Sequence, residues 1–147
     1  MTVFVPAEIL EQIRVHAAAA EPEECCGLLA GRIETGGDCR IWELRASANV
    51  ALDDRRRRFE IDPQVRFDLM RTCDAAGDGR AVVGHYHSHP GHPAEPSKSD
   101  LEAAHEPDMI WLIYGAGGGG DAPTVIRAFK ARADRSAFDP LELLEIP

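Results

Sequence analysis

The sequence predicts an α/β (α+β) fold, a mixed β-sheet flanked by helices. Three observations lead there. The stretches VPAEILEQIRVHAAAAEP and DPQVRFDLMRTCDAAG carry apolar residues at helical spacing. CCGLLAGRI, CRIWELRASANV, RAVVGHYH, DMIWLIYG and PTVIRAFKAR are short, apolar and rich in β-branched residues, as strands are. The helical and strand stretches also interleave along the chain, without internal repeats. At 147 residues the chain suits one domain, residues 1–147, with a core of its own.

In order, the first helix places Ile9, Ile13, Ala17 and Ala20 on one face, with Pro6 suited to its first turn and Pro22 stopping it. CCGLLAGRI and CRIWELRASANV flank the turn ETGGD and form a hairpin. The second helix starts behind an Asp62 cap, turns Val65, Leu69 and Met70 inward, and ends before Gly77. RAVVGHYH is a central strand that Pro90 ends, SKSDLEAAHEP opens a helix with capping chemistry, and DMIWLIYG is a buried strand. GAGGGGDAP lacks a following Gly-Lys-Ser/Thr or helix, so it reads as a hairpin loop and not as a phosphate cradle before PTVIRAFKAR. In the tail FDPLELLEIP, Leu141, Leu143, Leu144 and Ile146 are expected to pack back onto the domain, self-association being the alternative.

Composition narrows the function classes. A hydrophobic fraction of 44% and a charged fraction of 28% are those of a globular protein. Sixteen basic against 25 acidic residues give a net charge of −9, which repels a phosphate backbone and argues against nucleic acid as partner. No apolar run approaches the roughly 20 residues that span a bilayer, and the start MTVFVPAEIL lacks a basic segment followed by an apolar one. Together with four cysteines that form no CxxC pair, this implies a soluble, cytoplasmic protein with no membrane partner. The adjacent Cys25 and Cys26 read as small buried hydrophobes, and Arg55 to Arg58 beside Asp53 and Asp54 as a solvated loop or a docking patch.

The run GHYHSHPGHPAEPSKSD, residues 84 to 100, holds four of the six histidines. Alternation along a strand puts His85, His87 and His89 on one face. His85 and His89 would stand roughly 13 Å apart at the backbone, too far to share one ion, so the ligands must be an adjacent pair. The strand exit favours His87 and His89, where water can reach an ion, and leaves His85 as support one step deeper. His92, His16 and His105 have no partner spacing and default to loop or surface roles. Downstream, Ser97 and Asp100 form a capping-box pattern, and an aspartate in a helix's first turn is rigid enough to ligate as well. Two histidines, one carboxylate and an open fourth position describe a catalytic zinc site, although a two-histidine, one-carboxylate set also serves iron. Peptide hydrolysis there needs a further carboxylate to move protons, and among 25 acidic residues spacing alone does not choose one; Glu24, heading a strand, is attractive.

These residues resemble the JAMM (JAB, Mov34) metalloprotease family, whose pattern is a distant Glu, then His-Ser/Thr-His-Pro, six residues, Ser, two residues and Asp. Here that is His87-Ser88-His89-Pro90, Gly91 to Pro96, Ser97, Lys98-Ser99 and Asp100. PEECCGLLAG is similar to the family's Glu-x-Cys-Gly strand opening, which selects Glu24 over Glu23. The resemblance spans most of the chain, is closest to small stand-alone prokaryotic members, and implies the JAMM/MPN, cytidine-deaminase-like architecture. It further implies that His87, His89 and Asp100 hold Zn2+, that Glu24 is the general acid/base and that Ser97 steadies the oxyanion.

The activity so implied is hydrolysis after the C-terminal Gly-Gly of a ubiquitin-like or sulfur-carrier (ThiS/MoaD-like) protein, whose glycines suit a narrow cleft. The alternative is a non-catalytic MPN-type binding module, a class lacking the metal ligands that are all present here. A zinc nucleobase deaminase is excluded because His-x-Glu and Pro-Cys-x-x-Cys are missing. Ser88, between the two histidines, argues against the DNA-repair relatives that carry Asn there.

Overall fold

The first strand is one that the sequence patterning did not single out. In TVFVP the apolar residues alternate, Val3 and Val5 are buried, and β1 (Thr2–Pro6) runs straight into helix α1 (Ala7–Ala20). This structure, a computed structural model, describes residues 1–117 and 123–147. After α1 come β2 (Cys26–Ile33), β3 (Cys39–Ser47), α2 (Pro63–Ala76), β4 (Ala81–Pro93), α3 (Lys98–Ala103), β5 (Ile110–Ala116), β6 (Thr124–Ala131) and β7 (Phe138–Ile146). The expected mixed sheet with flanking helices is present, and its strands close on themselves in the order β1-β3-β2-β4-β5-β6-β7.

Closure depends on the two chain ends. β7 pairs antiparallel with β6 through Ala128↔Leu141 to Ala131↔Phe138, then parallel with β1 from Thr2↔Glu142 to Pro6↔Ile146. The tail therefore packs back as a strand, with Leu141 and Leu143 against the main core. The β2–β3 hairpin is antiparallel as expected, and so is β5–β6; the glycine-rich connection expected as a hairpin loop falls at residues 118–122, outside the described residues.

β4 occupies the middle, antiparallel to β2 and parallel to β5. The buried strand β5 shows what each face meets: Ile110 and Leu112 pack with Ile9, Leu10, Ile13 and Ala17 of α1, while Trp111 and Ile113 join Ala104, Met109 and Phe129 on the other side. A strand covered on both faces reads as an unbroken apolar run, which is why its alternation is hidden in the sequence. α2 lies on the second side, Leu69 and Cys73 packing on Leu28 and Ala30. Its cap is as expected, the Asp62 carboxylate accepting from Gln64 N at 2.9 Å, and Gly77 takes the left-handed C-cap with φ 63°. Met70, expected inside, is 48% exposed; the buried i, i+4 pair is Leu69 and Cys73 instead.

Pro90 does not end β4. Pairing with β2 stops at Cys26↔His87, and the ladder to β5 breaks between Ser88 and Pro93, so the missing N–H of Pro90 falls where no ladder bond is required. The strand continues to Pro93; His87 is still paired with Cys26 and Ile113, and His89 lies just beyond Ser88, the last paired position before that break. No helix among the described residues is long and apolar enough to cross a membrane.

Candidate active site

Alternation along β4 sends Tyr86 to the α1 side, where His16 Nδ1 meets its hydroxyl at 2.8 Å, and turns the neighbouring histidines the other way. His16 thus has a partner that its sequence position did not reveal. His87 is fully buried, and its Nε2 lies 2.9 Å from His89 Nε2. Asp100 Oδ2 completes the triangle at 3.2 Å from His87 and 3.1 Å from His89. The expected capping box of Ser97 and Asp100 is also formed. Asp100 Oδ2 accepts from Ser97 N at 2.9 Å, and Ser97 Oγ accepts from Asp100 N at 3.1 Å.

Whether these three atoms suit an ion can be judged from their donor chemistry. His89 Nδ1 donates to Pro93 O at 3.0 Å, which leaves a bare lone pair on Nε2 facing a carboxylate and a second imidazole. Atoms around a tetrahedral centre with bonds of about 2.0–2.2 Å sit about 3.3 Å apart, close to the separations found here. Without a cation the cluster leans on protons: burial disfavours a charged His87, whereas at His89 burial is outweighed by the Asp100 carboxylate and the Pro93 carbonyl, which raise its pKa. Burial works against the Asp100 carboxylate too, yet the two imidazoles and Ser97 N hold it well below the usual range.

Glu24 reaches this cluster from the lead-in to β2. Its carboxylate, His87 and His89 offer ligand atoms within 4.8 Å of one another. The lead-in to β2 is tied to β4 by Cys25 N donating to Ser88 Oγ at 2.8 Å and Ser88 N donating to Cys25 O at 3.2 Å. Gly27 permits the close approach, since a Cβ there would lie 2.4 Å from the Tyr86 ring. Glu24 N donates to Arg55 O at 2.8 Å, and its carbonyl accepts from Asn49 Nδ2 at 3.1 Å. Only 4% exposed, with Oε1 buried and unpartnered among the described residues, the carboxyl is pushed up to about 8, chiefly by desolvation.

Two contributors were not singled out by the sequence. Asn49 donates to Glu24 O and to Arg58 O at 2.9 Å, while its Oδ1 accepts from Ala51 N and Glu60 N, both at 3.1 Å. Phe59 stacks on the His87 ring at 4.3 Å and 18°. The local signals are weak: an Asn at a strand end before a charged loop, and one aromatic after an arginine run. His85 stays out of the cluster, as expected, and packs edge-on against Trp111 at 4.3 Å.

The arginine run divides. Arg55 turns back, its Nε donating to Ala51 O at 2.7 Å. Arg56 and Arg57 line a cleft of about 520 Å³ with Glu24, His89, His92 and Ser97. Arg58 lines a different groove. Cys25 and Cys26 are buried, their thiols pushed up to about 11 and about 12 by desolvation, as inert small hydrophobes should be.

A sequence model described as prokaryotic homologs of the JAB domain matches residues 6–132. A desampylase of Haloferax volcanii is 37% identical over 106 residues, covering 71% of this chain and 71% of that protein. A CysO-cysteine peptidase of Mycobacterium tuberculosis is 27% identical over 112 residues, 74% of this chain and 70% of its own. Among solved structures, a protein from Desulfitobacterium hafniense superposes with a TM-score of 0.77 at 29% identity, covering 98% of this chain and 92% of that one.

Proposed function

The chain belongs to the prokaryotic JAB family, and from that premise we propose that it is a zinc-dependent (iso)peptidase cutting after the C-terminal Gly-Gly of a ubiquitin-like or sulfur-carrier protein. One observation supports this most: a triangle of two imidazole nitrogens and a carboxylate oxygen, beside a buried glutamate whose Oε1 has no partner among the described residues. The desampylase and the CysO-cysteine peptidase carry names that match such a reaction.

His87, His89 and Asp100 would hold Zn2+. When bound, zinc makes a water acidic enough to ionise near neutral pH and polarises a carbonyl. Glu24 accepts the proton of the attacking water on its carboxylate and hands it to the amine nitrogen as the C–N bond breaks. Its buried carboxyl has an oxygen with no hydrogen-bond partner among the described residues, so a proton can be taken and returned there. Ser97 Oγ already accepts from Asp100 N, so its own hydrogen is free to donate to the oxyanion. Phe59, stacked on His87, limits rotation of that ring.

The test is to incubate the zinc-loaded protein with a sulfur-carrier protein extended beyond its Gly-Gly and to assay metal by elemental analysis. Cleavage at the second glycine with one zinc per chain is expected, and Glu24→Gln should abolish it while retaining the metal. Undiminished cleavage by Glu24→Gln would overturn the mechanism. Failure of the protein to bind or respond to zinc would instead favour the scaffold alternative.

A further inference from the structure

Two depressions flank the site, and they share only Ser99. The cleft of about 520 Å³ contains Glu24 and Ser97. A groove of about 330 Å³, between the Ala51–Glu60 segment and α3, reaches Asp100 but not Glu24. If Glu24 carries the proton, the departing nitrogen must lie within its reach. The leaving group therefore occupies the Glu24 cleft, and the acyl glycines run into the groove beside Asp100.

The two depressions differ in charge. The groove is lined by Asp53, Glu60 and Asp100 against Arg58. The cleft is lined by Arg56, Arg57 and Lys98, and none of these three forms an ion pair among the described residues. Of the cleft's two carboxylates, Glu95 lies 3.6 Å from Arg127, and Glu24 is the proton carrier. In a chain of net charge −9, unpaired cations gathered on the leaving-group side point to an anion there. The backbone presents them firmly: Arg57 N and Arg58 N both donate to Asp54 O at 2.9 Å, and Glu24 N holds Arg55 O.

Resting on the hydrolase function above, we propose that Arg56 and Arg57 bind a carboxylate of the leaving group. The favoured substrate is then a carrier whose Gly-Gly is extended by an amino acid with a free α-carboxylate. That group sits two bonds from the departing nitrogen, where a guanidinium fork on the cleft wall can take it in bidentate fashion. A protein lysine joined through its side chain carries no free carboxylate near its nitrogen, so it forgoes this contact.

The experiment compares one sulfur-carrier protein extended beyond Gly-Gly by a single alanine, as the free acid and as the carboxamide. kcat/KM is measured for both with the zinc-loaded protein, and Kd for both with Glu24→Gln. The free acid is expected to be favoured about tenfold in each measurement, with the preference shrinking as salt rises. In R56S/R57S the acid-to-amide ratio should fall to within about twofold of unity, whereas R55S, on the arginine that turns away, should keep it. Equal values for acid and amide in the wild type, or a ratio unchanged in R56S/R57S, would overturn the assignment while leaving the hydrolase function standing. If neither substrate is cut or bound, the hydrolase function itself fails, and this assignment with it.

Discussion

The two halves of the site are built by different means. His87, His89, Ser97 and Asp100 lie within one continuous stretch, and their geometry is set by a strand's alternation and one helix cap. Glu24 comes from elsewhere and is held by its neighbours' backbone and by Asn49, with Arg55 O and Asn49 Nδ2 both gripping its main chain. On the proposed function, the first half should fail by loss of metal binding, and the second by losing the placement of a proton carrier.

The largest effect is expected in the first half. Asp100→Ala removes one proposed ligand and also the acceptor that Ser97 N uses, so metal stoichiometry after purification should drop and kcat/KM should fall by about three orders of magnitude or more. Glu24→Gln should cost about 10²–10⁴ in kcat while zinc content stays at the wild-type level. Loss of metal from Glu24→Gln, by elemental analysis, would break the division between the halves.

That division also separates what could be read from the sequence. The local structure of the His87 to Asp100 stretch was legible because strand alternation and a capping box are short-range rules, and both hold in the structure. The strand was nonetheless expected to stop at Pro90, since whether a ladder bond is needed there depends on two partner strands. Glu24 could not be chosen from spacing, because the groups that hold it, Arg55 O and Asn49 Nδ2, come from the distant connection between β3 and α2; only the family pattern selected it. β1 and closure of the sheet escaped for the same reason: the pairing of β1 with β7 joins opposite ends of the chain. Burial of Cys73 in place of Met70 depends on which side of α2 meets β2, and local periodicity does not decide that.

Asn49 tests whether the second half works by positioning. Asn49→Ala leaves Glu24 O and Arg58 O without their donor and Glu60 N and Ala51 N without their acceptor. A fall in kcat of about tenfold is expected, with zinc content kept, from a small displacement of the carboxylate. Asn49→Asp retains both acceptances and loses both donations. If it matches wild type in kcat, the grip on Glu24 O is not what places the proton carrier.

The smallest effect sharpens the comparison through stability, in protein stripped of metal. The Glu24 carboxyl is pushed from 4.5 to about 8 by desolvation first, with Asp100 and Asp54 adding to it and His89 opposing. A folded-state pKa above the unfolded one means the fold binds this proton more tightly. The stability contributed is therefore fully present below about pH 4 and is lost as pH rises toward 8. Gln cannot ionise, so Glu24→Gln should flatten this slope. Relative to wild type, the metal-free variant should gain on the order of 1–2 kcal/mol between pH 5 and pH 8, measured by urea unfolding at each pH. The histidines and Asp100 titrate in both proteins, so the difference between the two curves reports Glu24 together with its coupling to His89 and Asp100. Parallel curves would mean that its carboxylate is solvated in the metal-free fold. The second half of the site would then owe nothing to burial. If the curves diverge as expected, the residue proposed to move the proton is one that the metal-free fold holds at a cost.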